Sequence, residues 1–434
     1  MSLKFHNKTK YIDHRFPKAP SIKTGYGSFV NILSEVLSDG FNFNNPTKIE
    51  KLEEGKIKIE FEVSPQFPLS SIIKITGTGD TRLDKDHRVM KAIENYIEIY
   101  LESFEEPLSL PASLSEISIC IAPLGYEKVY SNVAKTTVCF KNGSKNYPGV
   151  LKVIDEIPPR GYSTSWAHFA RVVVGEEVDS EGEFVDNIKT PYHPQYPDAE
   201  KTGNGGTAGS SGTIYGFAKW RYRITDELYG REHAGTLYNI ERPWFIIGDD
   251  KTFYLIINPG PDTSLFGFGN IETTGGGAIA LQAADDFVSA DNTSEYNSYG
   301  KRRNRWGNLN NSYIGSFLLH SIYGVVKHNT FRYYSGGYYF GENEKHTPWK
   351  SNEINFHNDN SGVGMLSDLL IRDQDGYFRG CHRGIKIMYG FNDIPNGSIP
   401  GTNDICIRVT DPFRSGGSMP IMFSQEDWSD VDNK

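Results

Sequence analysis

The chain has 434 residues, with 45 Lys and Arg against 54 Asp and Glu, a formal net charge of −9. Apolar residues are 38% of the chain and charged residues 23%, a balance that supplies a buried core and excludes a disordered chain. Net acidity leaves no broad basic face for phosphates, so a general nucleic-acid binder is excluded as well.

At roughly 150 residues per domain, the length fits two or three domains, or one large domain carrying an insertion. The longest apolar runs, such as residues 253–257, fall far short of the roughly 20 residues that span a bilayer, so no membrane segment is expected. Residues 1–20 mix charged, polar and aromatic side chains and show no export signal. Cys120, Cys139, Cys381 and Cys406 lie too far apart for a CxxC pair, and buried free thiols are expected. The 25 Tyr, 25 Phe and 44 Gly favour a mainly β fold of many short strands.

In chain order, residues 28–37 place Phe29, Ile32, Leu33, Val36 and Leu37 at helical spacing, and Asp39-Gly40 ends that helix, with Gly40 suited to a left-handed conformation. From Lys56 the pattern becomes strict alternation, with Ile57, Ile59, Phe61 and Val63 on one face. A second strand follows at 72–76, closed by the turn Gly77-Thr78-Gly79-Asp80. Residues 89–101 fit helical spacing but are rich in strand formers, and two strands turning at Glu94-Asn95 are preferred; residues 117–121 supply another. Residues 49–122 therefore read as a small β-barrel-like module of about five strands inserted in a larger β-rich body made of residues 1–48 and 123–434. In the body, short strands are predicted at 136–140, 150–154, 171–174, 244–247 and 253–258, the last two joined by a polar turn at the centre of the core. Residues 203–212 form a Gly/Ser/Thr arm, and 290–360 read as long irregular connections.

Few constellations point to chemistry. Gly77-Thr78-Gly79 lacks the third glycine and the Lys-Ser/Thr of phosphate loops, so it reads as a hairpin turn. The eleven histidines form no HExxH pair or two-His helical face, and no GxSxG elbow is present. The doublets Asp249-Asp250 and Asp285-Asp286 are the visible carboxylate pairs, but neighbours on a strand face opposite ways and those in a turn stay solvated. Tyr333, Tyr334, Tyr338, Tyr339 and Phe340 form the densest aromatic cluster and read as core or a protein interface, with a sugar platform as the alternative. No catalytic, cofactor-binding or metal residue is assigned.

Several motifs in order carry a resemblance. Phe5-His6, Gly27-Ser28 opening the helix, and Asp39-Gly40-Phe41 resemble the start of a family of tailed-bacteriophage virion proteins. The segment ending in Asp86-His87-Arg88-Val89 resembles the small β module of many phage tail proteins related to the FCCH domain of ubiquitin-activating enzymes. Ala122-Pro123-Leu124-Gly125-Tyr126-Glu127-Lys128-Val129-Tyr130-Ser131, Arg160-Gly161-Tyr162, Arg242-Pro243-Trp244, Gly248-Asp249, Phe253-Tyr254, Phe268-Gly269-Asn270-Ile271, Arg379-Gly380 through Gly384, and Glu426-Asp427-Trp428 are similar to that family in the same order. The resemblance covers nearly the whole chain, with 290–360 matching poorly. It implies a structural role in the tail or baseplate, in several symmetric copies, with other virion proteins as partners and assembly in the reducing bacterial cytoplasm. It transfers no catalytic residue. A carbohydrate-binding or depolymerising tail-tip protein acting on a host surface glycan is the alternative, and a neck or head decoration protein a further one.

Overall fold

The computed structural model describes residues 9–23, 25–53, 55–101, 107–157, 168–190, 197–202, 217–223, 241–257, 264–273, 276–283, 314–320, 333–336, 365–373, 378–389, 397–398, 404–410, 418–424 and 428. Among these the protein is mainly β, with strands gathered in four antiparallel sheets of twelve, six, four and four strands.

The chain enters through β1 (Lys10–Asp13), paired antiparallel with residues 245–248. Helix α1 (Ser28–Ser34) follows and runs on as a π-helical turn at Glu35–Asp39. Its apolar stripe is buried as the spacing predicts, Phe29, Leu33, Val36 and Leu37 all being fully inaccessible. Gly40 does end it at positive φ (79°), but ψ at 171° puts it in a region open essentially to glycine alone and not in the left-handed helical one. A side chain there would collide with the Ile121 carbonyl, 2.9 Å from the Cβ position, so glycine is required by the close passage of the returning chain.

Between residues 41 and 121 lie β2 (Phe41–Asn44), β3 (Lys48–Lys51), β4 (Lys56–Glu60), β5 (Ile72–Thr76), β6 (Asp86–Arg88), β7 (Lys91–Ile93), β8 (Tyr96–Tyr100) and β9 (Ser118–Ile121). They form two four-stranded sheets, ordered β2-β9-β5-β6 and β3-β4-β8-β7, and among the described strands none from elsewhere pairs with them. Alternation in β4 buries Ile57 and Ile59, and Phe61 follows them inside. The strand stops at Glu60, and Val63 is 70% exposed instead of joining that face. Residues 89–101 are two strands, β7 and β8, hydrogen-bonded around Glu94-Asn95. Gly77-Thr78-Gly79-Asp80 opens the loop between β5 and β6, held by the Asp84 carboxylate, which accepts from Thr78 N at 2.9 Å and Gly79 N at 3.0 Å. Phe41-Asn42-Phe43-Asn44 breaks its own alternation: Asn42 takes a positive φ of 56°, so Phe43 turns to solvent while Asn42 is buried, donating Nδ2 to the Pro65 carbonyl at 2.8 Å.

The six-stranded sheet contains β10 (Glu127–Ser131), β11 (Thr137–Lys141), β12 (Val150–Ile154), β13 (His168–Gly175) and β14 (Lys189–Thr190), followed by the single turn α2 (Ala199–Thr202) and by β15 (Ala218–Arg223), which pairs with β13. The twelve-stranded sheet starts at β1 and continues through β16 (Trp244–Gly248), β17 (Thr252–Ile257), β18 (Ser264–Thr273), β19 (Gly276–Ala283), β20 (Ile314–His320), β21 (Tyr333–Gly336), β22 (Met365–Asp373) and β23 (Phe378–Tyr389), then β26 (Ser418–Phe423), β25 (Ile405–Thr410) and β24 (Gly397–Ser398). The hairpin of β16 and β17 buries every residue of both strands, as a continuous apolar run demands. Helix and sheets meet in an aromatic junction: Phe29 stacks on Tyr222 at 4.9 Å between ring centroids, and Trp220 stacks on Phe266 at 5.5 Å and meets Phe253 edge-on at 6.1 Å. Such pairs add about 0.5–1.5 kcal/mol each beyond the area they bury.

Candidate functional site

The turn between β16 and β17 organises a polar part of the interior. Asp249 follows the last residue of β16 and folds its carboxylate back, Oδ1 accepting from Lys251 N at 2.9 Å and Thr252 N at 2.8 Å. This side-chain turn is why Asp stands there. The next residue, Asp250, fixes two neighbouring segments: its carbonyl accepts from Gly143 N at 2.7 Å, and its Cβ lies 3.1 Å from where a side chain on Gly125 would start. Gly125 has φ +111°, so glycine is needed there for conformation and for space.

From Gly125 the chain passes to Tyr126, whose ring packs edge-on against Phe253 at 5.5 Å and tilted against Phe268 at 6.0 Å. Thr252 Oγ1 donates to the Asn270 carbonyl at 2.9 Å, and Asn142 Nδ2 donates to Asn270 Oδ1 at 3.0 Å. Gly269, at φ +144°, leaves room for the Lys251 carbonyl. Strand β23 brings Arg383, buried and within electrostatic reach of both Tyr126 and Asp249. Its neighbour Gly384, at φ +65°, lies directly under the Trp428 indole, which meets Tyr254 edge-on at 5.8 Å and donates Nε1 to the Ser424 carbonyl at 3.0 Å.

Motifs scattered from Gly125 to Trp428 thus converge on one buried cluster: Gly125-Tyr126, Gly248-Asp249, Phe253-Tyr254, Phe268-Gly269-Asn270, Arg383-Gly384 and Trp428. Burial pushes the Asp249 carboxyl above its ordinary value, against the Arg383 charge and the two N–H donors. Burial, then the fields of Asp249 and Asp250, raise the Tyr126 phenol well above 10. Asp249 is 1% exposed, Tyr126 3% and Asn270 0%, so the arrangement ties neighbouring strands together out of reach of solvent.

The remaining motif residues serve elsewhere. Arg242 bridges to Ile22, Pro243 is half-buried, and Trp244 is fully buried with Nε1 donating to the Pro20 carbonyl at 3.0 Å. Glu127 is exposed, and Lys128 pairs with Asp39 across 2.5 Å. Tyr333 and Tyr334 belong to β21, an interior strand paired with β20 and β22. Tyr338, Tyr339 and Phe340 lie outside the described residues, as do Phe5-His6, Arg160-Gly161-Tyr162, residues 203–212, Asp285-Asp286 and Glu426-Asp427.

Several buried ionic groups escape sequence reasoning, Asp155, Arg171 and Lys10 among them. Asp155 caps α1 from a distance, Oδ2 accepting from Gly27 N at 2.7 Å, Phe29 N at 3.1 Å and Val30 N at 3.4 Å while Tyr222 donates to Oδ1 at 2.5 Å. Arg171, inside β13, donates Nη1 to the carbonyls of Glu200 at 2.6 Å and Lys201 at 2.8 Å, and burial draws its pKa down to about 10. Lys10 donates Nζ to the Pro123 and Leu124 carbonyls. The one available signal is a charge within or beside an apolar strand run.

Cys120, Cys139 and Cys406 are buried free thiols, and burial pushes Cys120 to about 11 and Cys139 to about 12, far from a reactive thiolate. Among the described residues no group of three His, Cys, Asp or Glu side chains is placed to hold a metal ion, and no helix is long and apolar enough to cross a membrane. No protein-family model matches the chain, and a search of curated proteins gives no match.

Proposed function

We propose that the chain is a structural subunit of a tailed-phage virion, built into the tail or baseplate in several symmetric copies and acting through protein–protein contacts without catalysis. The observation that carries this reading is the convergence of the phage-like motifs on the cluster around Asp249. Of the motif residues, Gly125, Asp249, Gly269 and Gly384 set turns and close contacts in the body, so the likeness there concerns an architecture and not a reaction.

Residues 49–122 act in this reading as an inserted docking or spacer module of the FCCH-like kind, to which β2 belongs as well because Phe41–Asn44 pairs with β9. The chain leaves the body at Gly40 and returns beside its exit, the Leu37 carbonyl accepting from Gly125 N at 3.0 Å and Tyr126 N at 2.9 Å. Phe43, Val63, Leu69, Met90, Ile93 and Tyr100, all more than 40% exposed, are exposed apolar side chains of the module and in this reading the ones that meet other virion chains.

Cryo-electron microscopy of purified virions tests the proposal. Density at the baseplate or tail, packed on other virion proteins, is the expected result. Density at a fibre tip with Tyr333, Tyr334, Tyr338, Tyr339 and Phe340 open to solvent, together with glycan binding or reducing-sugar release from host capsule, favours the carbohydrate reading; absence from the particle overturns both.

A further inference from the structure

Among the described residues, four polar side-chain atoms of the Asp249 cluster are buried with no hydrogen-bond partner: Asp249 Oδ2, Tyr126 Oη, Asn270 Nδ2 and Arg383 Nη1. Each of these residues is more than nine-tenths buried, Arg383 being the most accessible at 8%. A lone orphan of this kind costs about 1–3 kcal/mol, and buried polar groups are paired in the great majority of proteins. Four of them on segments that pack together call for a shared partner. Tyr126 lies in the field of both Asp249 and Arg383, and Asp249 in that of Arg383, while the Asn270 backbone is tied to the same turn through Thr252.

The chemistry of the four atoms narrows the partner. Asn270 Nδ2 and Arg383 Nη1 can only donate, an ionised Asp249 Oδ2 can only accept, and Tyr126 Oη can do either. A cation would meet the Arg383 guanidinium and an anion the Asp249 carboxylate. The partner must be neutral, small, and able to donate and accept at once. We infer that this cluster is a binding site for internal water, one or more molecules bridging Asp249 and Tyr126 to Asn270 and Arg383 and so joining the β16–β17 turn to β18 and β23. The phage-like motif residues are then a solvation site as well as a set of turns.

A high-resolution crystal structure of the full chain tests the inference, with Tyr126→Phe as a second crystal. Solvent peaks about 2.6–3.2 Å from at least two of the four atoms, with the one nearest position 126 displaced or lost in Tyr126→Phe, are expected. Direct hydrogen bonds among the four side chains with no density between them would overturn it. A peak with metal-like coordination distances would overturn the assignment to water.

Discussion

Lys10 Nζ stands 2.6 Å from Asp86 Oδ2, an ion pair that ties the first strand of the twelve-stranded sheet to β6 of the 41–121 region. The lysine side chain is 6% exposed and the aspartate 29%, so the ammonium depends on this partner and on the carbonyls of Pro123 and Leu124. Asp86→Asn leaves a buried charge with carbonyls alone and is expected to cost about 1–3 kcal/mol. Urea unfolding of Asp86→Asn, Lys10→Met and the double variant reads the coupling, and purely additive losses would show that the pair does not join the two parts.

Asp155 gives a pH dependence with a definite sign. Burial lifts its carboxyl to about 6 in spite of the Tyr222 and backbone donors, above the ordinary 3.8. The unfolded chain therefore ionises first. Stability is full below pH 3.8, falls as the pH rises to about 6, and levels off beyond. The loss is on the order of 3 kcal/mol. Asp155→Asn keeps an acceptor for Gly27, Phe29 and Val30 while removing the charge, and should flatten the urea midpoint between pH 4 and 6. Tyr222→Phe removes a donor that favours the carboxylate and should deepen the loss. An unchanged slope in Asp155→Asn would assign the effect to another group.

Gly384 and Trp428 test whether the end of the chain locks β23. With φ at +65° and the indole directly overhead, Gly384→Ala is strained in backbone and in space. The expected result is displacement of Trp428, seen as a red shift in the difference between Gly384→Ala and Gly384→Ala/Trp428→Phe emission spectra, with a stability loss of about 2–4 kcal/mol. A Trp428 contribution as blue as in the parent chain would mean that the indole is not held by this contact.

Strands were legible where side chains repeat with period two or form an uninterrupted apolar run, because burial alone then sets the face. Lys56–Glu60 and the β16–β17 hairpin are of this kind. The helix stripe was legible for the same reason at period 3.6. What escaped was long-range pairing of polar groups. Asp155 looks like the end of a strand, and its contact with Gly27 depends on the six-stranded sheet packing beneath α1. Phe43 looks like a core residue until the positive φ of Asn42 turns it outward. The motif residues could be picked out singly, but their assembly around Asp249 follows from strand register that local sequence does not encode.

The exit and return of the chain at adjacent points make the insertion testable. Leu124 N donates to the Val36 carbonyl at 2.8 Å and Gly125 N to Leu37 at 3.0 Å, so a short Gly/Ser linker can replace residues 41–122. Excision strands Lys10 without Asp86 and uncovers apolar surface where the core runs on from α1 into β4, β5 and β9. The deletion should therefore be made with Lys10→Met, which removes the orphaned charge. The expected product is soluble and keeps the blue-shifted emission of buried Trp220 and Trp244, and on the proposed virion function it fails to enter particles when it replaces the parent chain. A deletion product that unfolds with and without Lys10→Met would make residues 41–122 an integral part of the core. A folded product that still enters particles would move the assembly contacts onto the body.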